Sequence, residues 1–178
     1  VANAVFDGTS AVMLSAETAA GDHPALVVRV MSRIAEQAEE DAFDMQVYSG
    51  IPYDIDISDV TNAICDAAVT TARDVHAKAI IAVTTSGLTA RRVSKFRPLQ
   101  TIVAATPSVK TFHQLSLSWG VVPVLALNQD DTEHLFVHAV DCAKQLDLVS
   151  AGDTVVITAG VPLKQTGTTN LLKVQVVS

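Results

Sequence analysis

Five short stretches of this chain are apolar at nearly every position, with no polar alternation. They are 10–14, 79–84, 101–105, 121–127 and 154–158. Their residues are mostly Val, Ile, Ala and Thr. A strand covered on both faces reads this way, because both sets of its side chains are withdrawn from water. Between these runs the apolar period changes to three or four. From Ser58, a plausible helix N-cap, Val60, Ile64, Ala68, Thr71 and Val75 follow that spacing. A shorter helix over 88–96 is stopped by Pro98. Thr106-Pro107 reads as an N-cap with proline at the first helical position, for a helix reaching about residue 118 before Gly120. Asp131 or Thr132 opens another, through Leu135, Ala139 and Cys142.

This order predicts an α/β fold, a three-layer α/β/α sandwich around a mostly parallel five-stranded sheet. The fifth strand, 171–177, follows 154–158 after only the polar loop 160–170. That loop has no room for a crossover helix, so the last strand should run antiparallel. Residues 1–40 differ. They read as the end of a helix at 2–6, a turn at Asp7-Gly8, a strand at 10–14, a turn at Gly21 and a helix over 24–39. One βα unit completes neither a sheet nor a barrel, so this segment reads as the tail of a larger domain. The acidic stretch 41–56, with Gly50 and Pro52, reads as a linker, and 57–178 as a complete domain.

Composition narrows the function. Hydrophobic residues make up 49% of the 178, enough for a packed core. The net charge of −7 opposes nucleic-acid binding over the whole surface. No run of 18 apolar residues calls for a membrane, and no signal peptide opens the chain. It lacks an initiator Met, so it reads as a piece of a longer chain. Cys65 and Cys142 form no CxxC motif and read as buried reduced thiols, consistent with a cytoplasmic location. His134 and His138, four apart on a helix, lack an HExxH context and read as ordinary histidines, so no metal is expected. Trp119 reads as a packing anchor.

The charges are segregated. No Lys or Arg lies between Arg33 and Arg73, and no Asp or Glu lies between Asp74 and Asp130. The acid-free stretch contains the sharpest local signal, Thr84-Thr85-Ser86-Gly87-Leu88-Thr89-Ala90-Arg91-Arg92. It falls where a buried strand ends and a helix begins, a junction that presents backbone N–H groups and the positive end of a helix dipole. Its hydroxyls and arginines add donors and charge, and Gly87 permits a tight turn. It is neither GxxxxGK[ST] nor GxGxxG, and its residues also suit an ordinary helix cap. The loop from Gly160 to Asn170, with Lys164, Gly167 and Thr168, also leaves the carboxyl end of a strand. It reads either as a cover for the same anion or as a plain hairpin loop.

Three stretches together resemble the pyruvate kinase family. Val1-Ala2-Asn3-Ala4-Val5-Phe6-Asp7-Gly8, with Met13-Leu14-Ser15-Ala16-Glu17-Thr18-Ala19-Ala20-Gly21, is similar to its last barrel segment. Thr84-Thr85-Ser86-Gly87-Leu88-Thr89-Ala90, with Phe96-Arg97-Pro98, resembles its effector loop and helix. Gly160-Val161-Pro162, with Gly167-Thr168-Thr169-Asn170, resembles its closing loop. The loop sequences look bacterial.

The resemblance implies a cytoplasmic glycolytic enzyme, a tetramer transferring phosphate from phosphoenolpyruvate to ADP with Mg²⁺ and K⁺. It implies that 1–40 is the last βα unit of a TIM barrel, with Ser15, Glu17 and Thr18 at the active-site rim. The metal-binding carboxylates and catalytic lysine would lie on earlier strands, leaving this fragment inactive and without a cofactor. It further implies that Thr84, Thr85, Ser86, Gly87, Thr89 and Arg91, under Gly160, Lys164, Gly167 and Thr168, bind an effector phosphate. Animal enzymes that take fructose 1,6-bisphosphate carry Lys and Arg where this chain has Thr85 and Leu88. The expected effector is therefore a monophosphate, AMP or a sugar phosphate. A stand-alone sensor domain and a purely structural assembly domain are the competing readings.

Overall fold

The structure is a computed structural model that describes residues 1–50, 55–56, 58–127, 131–162 and 168–178. The chain divides into two compact units, Val1–Pro52 and Tyr53–Ser178.

The first unit is helical: α1 (Ala2–Phe6), α2 (Ala16–Ala19), α3 (Pro24–Asp44) and a 3-10 turn at Val47–Gly50. The strand expected at 10–14 does not form, and Met13 is 87% exposed. The physical reason is that a strand needs a neighbour to share its backbone hydrogen bonds, and the described residues of this unit supply none. Helix α3 also runs past the expected end at residue 39, so the expected linker begins inside a helix that reaches Asp44. The Tyr48 hydroxyl anchors the unit by donating to the Val5 carbonyl at 2.9 Å, with the Phe43 ring edge-on at 5.3 Å. Little apolar surface is covered. Leu26, Val28, Val30 and Ile34 on α3 remain exposed.

The second unit is the predicted sandwich. Helices α4 (Val60–Asp74), α5 (Leu88–Lys95), α6 (Val109–Leu115) and α7 (Thr132–Gln145) alternate with β1 (Ala79–Val83), β2 (Thr101–Thr106), β3 (Val121–Leu125) and β4 (Thr154–Ala159). Strand β5 (Leu171–Val176) ends the fold. The sheet order is β3-β2-β1-β4-β5. All pairings are parallel except β4 with β5, which is antiparallel as its short connection requires. Pro123, which lacks a ladder donor, sits on the edge strand β3.

Alternate strand residues serve opposite faces. Ile80, Ala82, Ile102, Ala104 and Val156 meet Cys65, Ala68 and Ala72 of α4, Ala90 and Val93 of α5, and Leu115 of α6. Ile81, Val103, Val155 and Ile157 meet Phe136, Ala139, Val140 and Ala143 of α7. The continuous apolar runs follow from this double coverage.

Two helix caps differ from expectation. Asp59, not Ser58, caps α4 by accepting from the Asn62 N–H at 3.0 Å, while Ser58 donates to Asp56. Ser108, not Thr106, caps α6, because its hydroxyl reaches the Thr111 N–H at 3.2 Å and Thr106 belongs to β2. Asp131 caps α7 as read from sequence.

Ile81 is fully buried at the centre of the sheet. Ile81→Ala should cost about 2–5 kcal/mol through lost burial and a cavity, read as a lower urea midpoint at unchanged slope. A cost below about 1 kcal/mol would mean that α7 does not pack on β1 as described.

Candidate functional site

Strand β1 has β2 on one side and β4 on the other. From β1 the chain winds outward through β2 and β3, then returns to the opposite side as β4. The carboxyl ends of β1 and β4 are therefore adjacent while the chain leaves them in different directions. Such a switch point opens a crevice in parallel sheets, and ligands bind there. Both loops singled out from sequence begin at it: 84–87 after β1, and 160–170 after β4.

The first loop is tightly built. Gly87 has φ +80°, in the left-handed region, and precedes α5 without a side-chain cap. Its N–H donates to the Thr84 hydroxyl at 2.9 Å, and the Leu88 N–H reaches the Ser86 hydroxyl at 3.4 Å. The Thr85 carbonyl accepts from the Thr111 hydroxyl of α6 at 3.0 Å. Arg91 turns back over Gly87 and donates to the Ser86 carbonyl at 2.9 Å. Thr85, Ser86 and Arg91 are exposed, whereas Thr84 and Thr89 are buried. The sequence-predicted donors thus separate by role. Thr84 holds the turn. Thr89 pairs hydroxyl to hydroxyl with Thr169 at 2.7 Å. The outward surface consists of Thr85, Ser86 and the Arg91 guanidinium, whereas Gly87 at the α5 N-terminus is buried and its N–H is spent on Thr84.

The second loop is pinned at its neck. The Val161 N–H donates to Asn170 Oδ1 at 2.9 Å, and Asn170 Nδ2 donates to the Val161 carbonyl at 2.6 Å. A Cβ on Gly160 would collide with the Thr168 carbonyl, so only glycine lets the two ends approach this closely. Thr168 lies at the exposed exit of the loop. Lys164 and Gly167 lie outside the described residues.

The other candidates resolve into local contacts. The Ser15 hydroxyl accepts from the Ala16 N–H, its own N–H donates to Glu17 Oε2, and Thr18 donates to its carbonyl. These three close an exposed turn at α2. His134 Nδ1 lies 2.8 Å from Asp131, and His138 Nε2 accepts from the Leu127 N–H at 2.9 Å. No group of three or more His, Cys, Asp or Glu that could hold a metal occurs among the described residues. Trp119 carries the Arg97 guanidinium 4.5 Å above its ring. Burial pushes the Cys65 thiol up to about 12, against the opposing pull of the Arg92 charge. Sequence reading missed Thr61 and Thr111, single hydroxyls inside helices that no local pattern marks.

The family profile described as "Pyruvate kinase, alpha/beta domain" matches residues 62–175. This chain belongs to the pyruvate kinase family. Pyruvate kinases from Staphylococcus aureus strains USA300 and NCTC 8325 are each 45% identical to it over 177 residues. That alignment covers 99% of this chain and 30% of the relatives' length. A crystal structure of a pyruvate kinase from Cryptosporidium parvum superposes with a TM-score of 0.82 at 36% identity, covering 99% of this chain and 35% of that one. A second structure from the same organism gives 0.80 at 35%. As a pyruvate kinase segment, the chain therefore represents about a third of the length of the relatives it matches.

Gly87→Ala should destabilise by about 1–2 kcal/mol, from the left-handed φ alone. The added Cβ would also press on Arg91 Nη1 at 2.7 Å and Thr111 Cγ2 at 3.0 Å. Urea unfolding reads the loss, and an unchanged midpoint would contradict the described turn.

Proposed function

We propose that this chain is the C-terminal regulatory part of a pyruvate kinase, and that the crevice between the β1 and β4 loops binds the phosphate of a small effector. The observation that carries this reading is that both loops leave the sheet at the switch point, with Ser86 and Arg91 exposed at the end of β1. An anion would receive the exposed Thr85 and Ser86 hydroxyls and the Arg91 guanidinium, beside the positive end of the α5 dipole. One arginine and one helix end suit a single phosphate, so AMP or a sugar monophosphate is the favoured effector class. Lys164, Gly167 and Thr168 would close over it from the second loop.

The full enzyme would transfer phosphate from phosphoenolpyruvate to ADP in the cytoplasm, using Mg²⁺ and K⁺. The first unit is read as the end of the catalytic barrel, with Ser15, Glu17 and Thr18 near its rim. The exposed apolar residues of α3 and the unpaired segment 10–14 support that reading, since the described residues of the first unit cover neither. Strand β5 forms an edge of the sheet with Val174 and Val176 exposed, which supports pairing with a second copy, and the tetramer is proposed from the family. No helix of the described residues is long and apolar enough to cross a membrane.

Calorimetry with AMP, ribose 5-phosphate and glucose 6-phosphate tests the effector site. At least one should bind, and Arg91→Gln should weaken it about tenfold or more through loss of a charged hydrogen bond. Ser86→Ala should have a smaller effect in the same direction. Absence of binding by all three would favour the structural assembly reading. The chain alone should form no ATP from phosphoenolpyruvate and ADP, and a positive coupled assay would overturn its assignment as a regulatory fragment.

A further inference from the structure

Helix α7 holds the end of β3 through one imidazole. Strand β3 lies at the edge of the sheet, beside β2. Just past its end, the Ala126 N–H still reaches the Thr106 carbonyl of β2 at 3.0 Å. At Leu127 the acceptor changes. Its N–H donates to His138 Nε2 on α7 at 2.9 Å. The carboxyl end of an edge strand is thus tied to a helix by a titratable side chain.

A ring nitrogen that accepts a hydrogen bond carries no proton. Because Nε2 accepts from Leu127, the ring is neutral and its hydrogen sits on Nδ1. Protonation would set a second N–H against the Leu127 N–H, donor facing donor. The surroundings offer the charged ring little. Cys142 Sγ lies 3.7 Å from Nε2 and 3.8 Å from the Leu125 carbonyl. Burial pushes this thiol up, and the Asp141 charge adds to the effect, so it faces the ring uncharged. Strands β1, β2, β3 and β4, against which α7 packs, contain no ionisable residue. Strand β5 brings Lys173, which is paired with Glu133 at 2.9 Å. On α7 itself, His134 lies one turn before His138 and is bonded to Asp131, and exposed Asp141 lies one turn after it.

We propose that His138 is a pH-sensitive clasp on the edge of the sheet: its neutral ring holds the carboxyl end of β3 to α7, and its protonated ring releases it. The sign follows from the bond. The clasp is closed while the ring is neutral and opens as the pH falls through the imidazole range, about pH 8 to 5. The release is local. Val124 and Ala126 are buried, and the register of β3 on β2 involves no titratable group, so the strand itself stays paired. What is freed is the backbone at Leu127, whose side chain is already exposed. The device is independent of any effector at the β1 loop.

NMR on the 178-residue chain tests the clasp. Imidazole nitrogen spectra at about pH 8 should show His138 with its hydrogen on Nδ1. Exchange of the Leu127 amide, normalised to an unfolded peptide at each pH, reads the bond itself. Its protection should fall about three- to tenfold on acidification, in step with protonation of the His138 ring. His138→Gln, whose carboxamide oxygen accepts without titrating, should keep that protection at every pH. His138→Leu should lack it at every pH. The amides of Ile81 and Ile157 report that each variant is folded. Should His138→Leu not fold, the wild type and His138→Gln decide. A neutral His138 ring with its hydrogen on Nε2 would refute the clasp. So would Leu127 protection in the wild type that does not follow ring protonation, or the same pH dependence in His138→Gln.

Discussion

The parallel pairing of β1 with β4 is the constraint on which the C-terminal unit depends. Ala79, Ile80, Ile81 and Ala82 align with Val155, Val156, Ile157 and Thr158, and every one of these residues is fully buried. No hairpin can join parallel neighbours, so the chain must leave β1, build half the sheet and return. That route makes β1 and β4 the point where the winding reverses. Parallel sheets bind ligands at such a reversal, and the proposed phosphate site rests on that topology.

The core around this pair is made of small and branched side chains. Aromatics are 4% of the chain, and Phe136 is the largest fully buried side chain among the described residues. Ala68, Ala72, Ala82, Ala90 and Ala104 let α4 and α5 pack closely on the sheet. Close packing brings the helix N-termini near the strand ends. It puts Thr61, Thr89 and Thr169, from three separate elements, within reach of one another. Short apolar residues in the core thereby set the geometry of the polar layer above it.

The sheet was legible because doubly covered strands leave continuous apolar runs and helices leave a period of three to four. The antiparallel β5 followed from the length of the loop before it. What sequence could not supply was any property that depends on a partner. The run 10–14 has the apolar character of a strand but no neighbour to pair with, and it stays unpaired. Caps were displaced by one or two residues at α4 and α6. Ser58, Asp59, Thr106 and Ser108 are all competent, and backbone direction chooses among them. The 84–91 loop was legible as a junction, but its division of labour was not. Whether a threonine points outward, as Thr85 does, or inward to Thr169, as Thr89 does, is fixed by tertiary packing.

The central claim is that the switch-point loops hold a phosphate. The most direct measurement is a backbone amide NMR titration of this chain with inorganic phosphate and with ribose 5-phosphate. The account predicts saturable shifts concentrated at Ser86, Gly87, Leu88 and Thr89, with smaller ones at Thr168 and Thr169. Shifts that scatter over Lys78, Lys95 and Lys110 without saturating, and leave the 86–89 amides unmoved, would contradict it.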